Sequence, residues 1–272
     1  YGWGIVGACF VIALYAGGVL FYGFTAIFEP IANEFGWSYT QVSFAASLRS
    51  LEMGILAPFI GILVDRWGPR RLLSTGAIIT SLGLMLLSRA SSLGMFYGAF
   101  ILVGIGMGTC SSTVLMPAVA NWFRRKIGMA IGVTTSGFGF GGLLVPAIVR
   151  LIDMYEWRIA ICILAIGMLV ICLPLSLLVR HKPEQYGCVP DGEKNNIVKP
   201  NGLNDPAEAE EADVKPKQAL KSSTFWHIAS ALMCQGLMLS AVVTECGLPV
   251  SIVTTARATS GLVAGAISLA SI

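Results

Sequence analysis

A charged pair of side chains lies inside an otherwise apolar stretch of this sequence. Arg49 and Glu52 are the charged residues of the run 41–64. At three residues apart on a helix they share a face and can pair with each other. A guanidinium in apolar surroundings also attracts an anion, and a nearby carboxylate can modulate that site or carry a proton. Two interpretations stay open: a structural pair that neutralises itself, or an anion site formed by Arg49 with help from Glu52.

Two tyrosines in the first apolar run offer further polar groups. Tyr15 and Tyr22 are seven residues apart, and this spacing places them on one face of an α-helix. Their hydroxyl groups can donate hydrogen bonds to a bound carboxylate. Aromatic packing explains the same spacing, so a binding role and a packing role are both kept.

Enzyme chemistry has no comparable support in the sequence. The glycines at 137, 139 and 141 lie inside an apolar run and do not follow a strand, so they do not form a phosphate loop. Six of the seven cysteines lie in apolar runs and no C-x-x-C pair occurs. No nucleophile–base pair or metal-ligand spacing is present. The sequence therefore predicts no catalytic residue, no cofactor and no metal.

The elements that must position these residues are membrane helices. Of the 272 residues, 55% are hydrophobic and 12% are charged, against about 25% charged in ordinary soluble domains. The net charge of +3 comes from short clusters between apolar runs, which does not suit a nucleic-acid surface. A spanning helix needs about 20 apolar residues and satisfies its own backbone.

Six apolar runs meet this requirement before the composition changes. They cover residues 4–28, 41–64, 72–87, 95–120, 128–152 and 159–179. We therefore predict an all-α membrane protein with a six-helix bundle over residues 1–180. The polar, proline-containing segment 181–223 predicts a central linker. Apolar runs from about 225 and 258 predict the first helices of a second bundle over residues 224–272, truncated within its second helix.

The distribution of basic residues predicts the orientation in the membrane. Clusters follow the second, fourth and sixth runs, and fewer basic residues lie on the other side. Because cytoplasmic loops carry the excess of Lys and Arg, the N-terminus and the linker are expected in the cytoplasm. Two bundles joined by a linker are typical of carriers that hold substrate near the midplane of the membrane.

The connection after the second run has an ordered pattern of glycine, acidic and basic residues. It reads GILVDRWGPRR and contains Gly61, Asp65, Arg66, Gly68, Arg70 and Arg71. An ordinary basic turn explains the arginines but not the order; Asp65 can pair with them or cap the next helix. The stretch resembles the G-x-L-x-D-R-x-G-R-R/K loop of the major facilitator superfamily. That resemblance implies that Asp65, Arg66 and Arg70 form a gating latch between two bundles and do not bind substrate.

A second motif leads into the fifth run. It reads WFRRKIGMAIG and includes Trp122, Phe123, Arg125, Lys126, Ala130 and Gly132, with Gly137 and Gly141 further on. Glycines four residues apart, at 128 and 132 and at 137 and 141, predict close approach of neighbouring helices. The stretch is similar to the helix-five motif of monocarboxylate and oxalate/formate-type carriers. Ile127 stands at a basic position of that motif and Met129 at a leucine position.

These resemblances imply a major facilitator fold and a function. They imply a secondary active transporter of a small organic anion, a monocarboxylate or dicarboxylate, working by alternating access with or without proton coupling. They also imply a monomer in the plasma membrane, which is the inner membrane in a bacterium. The alternatives are a carrier of the same superfamily for a sugar, an inorganic anion or a drug, and a non-transporting receptor or scaffold. Phe100 and the pair Gly137-Phe138 replace residues usual in drug/proton antiporters, which disfavours drug export.

Overall fold

The computed structural model describes residues 2–123, 125–179 and, further on, 223, 225–227, 229–231 and 233–234. Its elements in this part are helical, without a strand. The α-helices are α1 Gly2–Ala16, α2 Gly23–Phe35, α3 Tyr39–Trp67, α4 Pro69–Ser88, α5 Leu93–Thr109, α6 Ser112–Ala120, α7 Ile127–Phe140, α8 Val145–Gly167 and α9 Leu173–Leu178. Gly17–Tyr22 and Met168–Cys172 are π-helical, and Gly141–Leu144 is a 3-10 turn. The predicted linker and the runs after it lie outside the described residues, apart from helical residues between 223 and 234.

Continuous helical segments of the described part are long and apolar enough to cross a membrane in five cases. They are Gly2–Phe35, Tyr39–Trp67, Pro69–Ser88, Leu93–Ala120 and Ile127–Leu178. At 1.5 Å per residue the last, of 52 residues, would extend about 78 Å, far beyond a hydrocarbon core of about 30 Å. It is interrupted at Glu156, where φ is 66° and ψ is 156°.

Contacts with the first segment show that the chain reverses direction at Glu156. Before that residue the last segment runs parallel to the first segment, because Gly137 lies against Phe10 and Gly141 against Gly18. After it they run antiparallel, because Tyr15 bonds to Leu164 and Glu34 to Trp157. The described part thus folds into six helical segments, because the last of the five continuous segments divides at Glu156. We call the first four segments spans one to four, and residues 127–155 and 157–178 spans five and six.

The helices extend further into the polar connections than the apolar runs do. Span two begins with a capping box, in which the Ser38 hydroxyl accepts from the Gln41 amide and the Gln41 side chain accepts from the Ser38 amide. It continues through the charged residues 65 and 66 to Trp67. The single residue Gly68, with φ at 81°, then separates it from span three. Hydropathy locates the part of a helix that lies in the hydrocarbon core of the membrane. The helix itself ends where its backbone hydrogen bonding ends, and this bonding can continue into water.

Spans one and five touch through their backbones. A Cβ at Gly141 would lie 2.5 Å from the Gly18 amide nitrogen, and a Cβ at Gly137 would lie 2.6 Å from the Phe10 carbonyl oxygen. Real Cβ atoms do not approach so closely, so these positions require glycine. At Gly128 and Gly132 a Cβ would meet no atom within 4 Å. Close approach within the described part therefore occurs at the second of the two predicted glycine pairs.

A ladder of serines joins span three to span six. Three serines of span three, seven residues apart, face span six: the Ser74 hydroxyl lies 2.8 Å from the hydroxyl of Ser176, and those of Ser81 and Ser88 donate to backbone carbonyls at 2.8 and 2.9 Å. Seven residues are almost two helical turns, which keeps all three on one stripe. The Ser81 bond is buried and the Ser74 and Ser88 bonds are partly buried, and together they set the register of the two spans.

An ion-pair cluster ties span one to the turn between spans five and six. The Glu34 carboxylate accepts from the Trp157 indole nitrogen and from Arg158 Nη2, the latter at 2.9 Å. Arg158 also donates to the Ser88 carbonyl at 3.2 Å and lies over the Trp157 ring. Three spans therefore meet at this end of the bundle, beside the strained residue Glu156.

The glycine contact leads to the first prediction. Gly141→Leu should lower the thermal stability of the purified chain, because overpacking of a close contact costs about 1–3 kcal/mol. Gly132→Leu adds the same side chain on the same span where space is open, and it should leave the unfolding temperature unchanged. Thermal unfolding in detergent, followed by size-exclusion chromatography, measures both. Equal effects of the two substitutions would contradict the assigned packing.

Candidate functional site

Arg49 lies near the middle of span two and reaches across to span one. It is ten residues beyond Tyr39, about 15 Å along a helix with 1.5 Å rise per residue. Its Nη1 donates to the carbonyl oxygen of Leu20 at 2.5 Å. Its Cζ atom lies 5.6 Å from the ring centroid of Phe21 and 5.8 Å from that of Phe24. The guanidinium is therefore held at mid-membrane depth by a neutral carbonyl and two ring faces.

The carbonyl that receives Arg49 belongs to a π-helical turn. Leu20 lies within Gly17–Tyr22, and the Gly23 amide bonds back to Gly18, five residues earlier. A carbonyl oxygen has two lone pairs and can accept from a second donor in addition to the helix. π-helical turns within α-helices are frequent at functional sites, and this one also lies where span one meets the 3-10 turn of span five.

Glu52 projects from the same helix toward span four. Its Oε2 atom is buried and has no hydrogen-bond partner. That atom lies against Gly104, where a Cβ would overlap it, and the same Cβ would lie 3.5 Å from Cγ of Arg49. Gly104 thus makes room for the Glu52 carboxyl group, whereas its distance from Arg49 is an ordinary contact. A buried carboxylate oxygen without a donor is energetically unfavourable, so this position calls for a proton or a cation.

The structure shows no direct contact between Arg49 and Glu52 of the kind that a self-neutralising pair requires. No ion pair or hydrogen bond joins these two residues, although both are described. Their spacing gives a shared helix face, but the side chains turn to different neighbours, span one for the arginine and span four for the glutamate. The self-neutralising pair is thus absent from this conformation, and each charge meets its surroundings separately.

The two tyrosines of span one have different surroundings in the structure. The Tyr15 hydroxyl donates to the Leu164 carbonyl at 2.9 Å and lies against Gly167, which makes it a link between spans one and six. Tyr22 lies half-buried at the last position of the π-helical turn. Because π-helical turns hold more residues than α-helical turns, a seven-residue spacing across Gly17–Tyr22 no longer returns to the same face.

Aromatic side chains form the wall beside Arg49, and the sequence analysis did not single them out. Phe24 packs edge-on against Phe28 and Phe100, with ring centroids 5.9 and 5.0 Å apart. The positions 21, 24 and 28 follow helical spacing, and this is the sequence signal that identifies the wall. Leu20 and Gly104 carry no such signal, because the first acts through its backbone and the second through the absence of a side chain.

The predicted gating residues lie at the junction of spans two and three. Asp65, Arg66, Arg70 and Arg71 are exposed there. The predicted pairing and capping by Asp65 are not observed: no ion pair or hydrogen bond links its side chain to another described residue, and span three begins at the uncapped Gly68. A Cβ at Gly61 would meet no atom within 4 Å. The turn itself is formed by Gly68, whose positive φ suits glycine.

The helix-five motif divides into a buried and an exposed part. Trp122, Phe123 and Ala130 are buried, and the Phe123 ring meets Trp3 edge-on at 5.3 Å. Arg125 and Lys126 are exposed, and Arg124 lies outside the described residues. Phe123 therefore packs against the start of span one, while the basic residues are exposed at the same end of the bundle.

Comparison with known proteins agrees with this architecture. The sequence profile of the Major Facilitator Superfamily matches residues 7–272. Monocarboxylate transporter 12-B of Danio rerio is 29% identical over 257 residues, which are 92% of this chain and 53% of that protein. Monocarboxylate transporter 12 of Homo sapiens is 28% identical, over 68% of this chain and 37% of that protein. An MFS-type transporter of Gibberella moniliformis (strain M3125 / FGSC 7600) is 33% identical, over 62% and 42%.

The chain therefore belongs to the Major Facilitator Superfamily, a family of membrane transporters, and its relatives assign it to the monocarboxylate-transporter-like branch. It spans about half the length of these curated relatives or less. The predicted all-α membrane fold and the predicted family are confirmed. The site residues proposed from the sequence stay predictions, with the geometry described above.

Proposed function

We propose that this chain serves a secondary active transporter of a small organic anion, a monocarboxylate or dicarboxylate, which works by alternating access. Arg49 is the anion-binding residue in this proposal. The observation that supports it most is the position of the Arg49 guanidinium, held at mid-membrane depth without a carboxylate partner. A full positive charge in such surroundings attracts an anion far more strongly than an exposed charge does in water.

A carboxylate can replace the Leu20 carbonyl as the hydrogen-bond acceptor of Arg49. A guanidinium can bind a carboxylate through two parallel hydrogen bonds and opposite charge, whereas the Leu20 carbonyl accepts a single hydrogen bond and carries no charge. The carbonyl of Leu20 therefore acts as a neutral occupant that an anion displaces. Phe21 and Phe24 supply apolar contact for the carbon chain of the anion. The site thus selects a charge at one end and tolerates variation in the remainder.

Glu52 is the proton-binding residue in this proposal. Its buried Oε2 atom has no donor, so a proton on the carboxyl group removes an unpaired charge. The charged groups on helices packed against span two lie far along their own helices: Glu29 and Glu34 on span one, and Arg70 and Arg71 on span three. Movement of Arg49 toward Glu52 would favour loss of the proton. In this proposal, anion binding and proton binding are coupled through the Arg49 side chain.

The test of Arg49 uses binding of a radiolabelled carboxylate to purified variants. Arg49→Gln should weaken binding about 10- to 100-fold, because a hydrogen bond to a charged group contributes about 1.5–3 kcal/mol. Arg49→Lys should keep partial binding, since an ammonium retains the charge and loses the bidentate geometry. The control is Arg150→Gln, which removes an exposed arginine from the far end of the bundle.

The double variant Arg49→Gln with Glu52→Gln separates the two roles. If Arg49 is the anion site, the double variant inserts into the membrane and binds the carboxylate as weakly as Arg49→Gln does, because both lack the cation. Binding of carboxylates by the double variant at the parent's affinity would assign Arg49 a structural role and end the proposal for this residue.

A second candidate is a carrier of the same fold for another solute, such as a sugar, an inorganic anion or a drug-like compound. One observation favours keeping it: the Fujikurins efflux protein of Gibberella fujikuroi is 29% identical over 57% of this chain. Its name describes efflux of fujikurins. Competition of unlabelled sugars, inorganic anions and hydrophobic compounds with the labelled carboxylate distinguishes the two candidates on the same purified chain.

We also propose that the N-terminus lies in the cytoplasm and that the protein resides in the plasma membrane. Single cysteines at Ser91 and Asp153 should react with an impermeant reagent on intact cells. Cysteines at Arg125 and Asn195 should react only after permeabilisation, because basic connections face the cytoplasm. The measurement uses a background that lacks the native cysteines. Reaction at position 195 in intact cells would reverse the orientation.

Asp65 is proposed as part of a gating latch. Its carboxylate is exposed and has no partner within the described part of the chain, so it is available to a second bundle. In a longer version of this chain that supplies the second bundle, Asp65→Asn should insert normally and change the transport rate about fivefold or more, since a latch shifts the balance between states. Asp153→Asn, an exposed residue at the opposite end, is the matched control. Equal rates for Asp65→Asn and the parent would exclude the latch.

A further inference from the structure

A groove with a basic rim and an apolar floor lies at the end of the bundle where spans two and three meet. It has a volume of about 440 Å³ and is lined by Trp67, Arg70, Arg71, Ser74, Thr75 and Leu177. The lining residues come from the end of span two, the start of span three and the end of span six. None of them takes part in the site around Arg49, and Arg70 and Arg71 also belong to the loop motif that contains the proposed latch residue Asp65.

The rim of the groove carries positive charge without internal compensation. Arg70 and Arg71 are exposed, and within the described residues neither guanidinium has a hydrogen bond or an ion pair. The connection 61–71 contains three arginines and one aspartate, so its formal charge is 3 − 1 = +2. Two adjacent free guanidinium groups present donors that suit a phosphate.

The floor of the groove offers no free polar group to a ligand. The Ser74 hydroxyl donates to the Arg70 carbonyl and lies 2.8 Å from the Ser176 hydroxyl. The Thr75 hydroxyl lies 3.0 Å from the carbonyl oxygens of Arg71 and Leu72. Because these hydroxyls direct their protons to backbone carbonyls, they offer no free donor to the oxygens of a phosphate below the rim. An apolar chain needs no such donor.

The position of the groove matches the boundary between hydrocarbon and head groups. Trp67 is 52% exposed and ends span two, and tryptophan is enriched at membrane–water interfaces. Leu177 and Leu178 are 47% and 53% exposed and end span six. The basic rim thus lies at head-group level, and the exposed leucines lie where acyl chains begin.

We infer that this groove binds one anionic phospholipid. The phosphate lies between Arg70 and Arg71, the glycerol region packs on the Trp67 ring, and an acyl chain lies along Leu177. Charge complementarity selects an anionic lipid, and the apolar floor selects a lipid over free phosphate. Basic pockets between membrane helices are a known physical basis for recognition of lipid head groups. The bound lipid joins the end of span six to the junction of spans two and three.

The experiment titrates the purified 272-residue chain in detergent with phosphatidylglycerol, phosphatidylcholine or inorganic phosphate and counts bound molecules by native mass spectrometry. The parent should bind phosphatidylglycerol in preference to phosphatidylcholine, and inorganic phosphate should not compete. Arg70→Gln with Arg71→Gln should weaken phosphatidylglycerol binding about 30-fold. The control, Arg89→Gln with Arg150→Gln, removes the same charge from the other end of the bundle and should change binding less than about twofold.

A second variant tests the floor while keeping the charges. Leu177→Gln should weaken phosphatidylglycerol binding and leave the charged rim intact, so inorganic phosphate should still fail to compete. Leu177→Gln also tests the lipid assignment if the double arginine variant does not fold. Equal binding of the two lipids, equal losses in the two double variants, unchanged binding by Leu177→Gln, or competition by inorganic phosphate would each overturn the lipid assignment. The last result would assign the rim to free phosphate.

Discussion

Helices in a lipid bilayer gain little from burying apolar side chains against one another, because lipid tails are as apolar as leucine. Association must come from close van der Waals contact and from hydrogen bonds between helices. This constraint explains the three contacts that organise the bundle. Spans one and five meet backbone to backbone at Gly18 and Gly141, spans three and six share a serine ladder, and spans one and six share the Glu34–Arg158 cluster.

The same constraint governs the charged residues of span two. In water Arg49 and Glu52 could each be solvated, but at mid-membrane depth every donor and acceptor must find a partner in the protein. Arg49 finds one in the backbone of span one, at the Leu20 carbonyl within the π-helical turn. Glu52 finds none for Oε2. The Arg49 guanidinium is bonded to a neutral carbonyl, and the Glu52 Oε2 atom has no hydrogen-bond partner. Both groups can therefore bind another partner, and this is the physical basis of the proposed anion and proton sites.

Family membership and substrate are separate questions for this chain. Its relatives include proteins named as monocarboxylate transporters and a protein named for efflux of fujikurins, at similar identity. A fold that hosts such different solutes leaves substrate choice to a few side chains in the site. In the proposed function, Arg49 discriminates by charge and the neighbouring rings of Phe21 and Phe24 by shape. The phospholipid groove is independent of that choice, because it lies at the bundle surface.

Much of the architecture follows from the sequence by itself. Hydropathy determines the spans, because about 20 apolar residues have one stable place in a bilayer, and the ordered motifs at Asp65 and around Trp122 determine the family. Spacing also located Gly137 and Gly141, since close contact in lipid needs small residues. The helix ends at Phe35 and Trp67 were missed, because hydropathy does not report backbone bonding in water.

Only the tertiary structure decided how the polar residues are used. Residue spacing places Arg49 on one helix face with Glu52, and Tyr15 on one face with Tyr22. In the folded chain Arg49 donates a hydrogen bond to the Leu20 carbonyl and Tyr15 donates one to the Leu164 carbonyl. Glu52 lies against Gly104. The reason is that a local pattern reports which residues share a helix face. It does not report which neighbouring helix lies opposite, nor a backbone carbonyl within a π-helical turn. Those partners come from residues far away in the chain, and packing of the whole bundle brings them together.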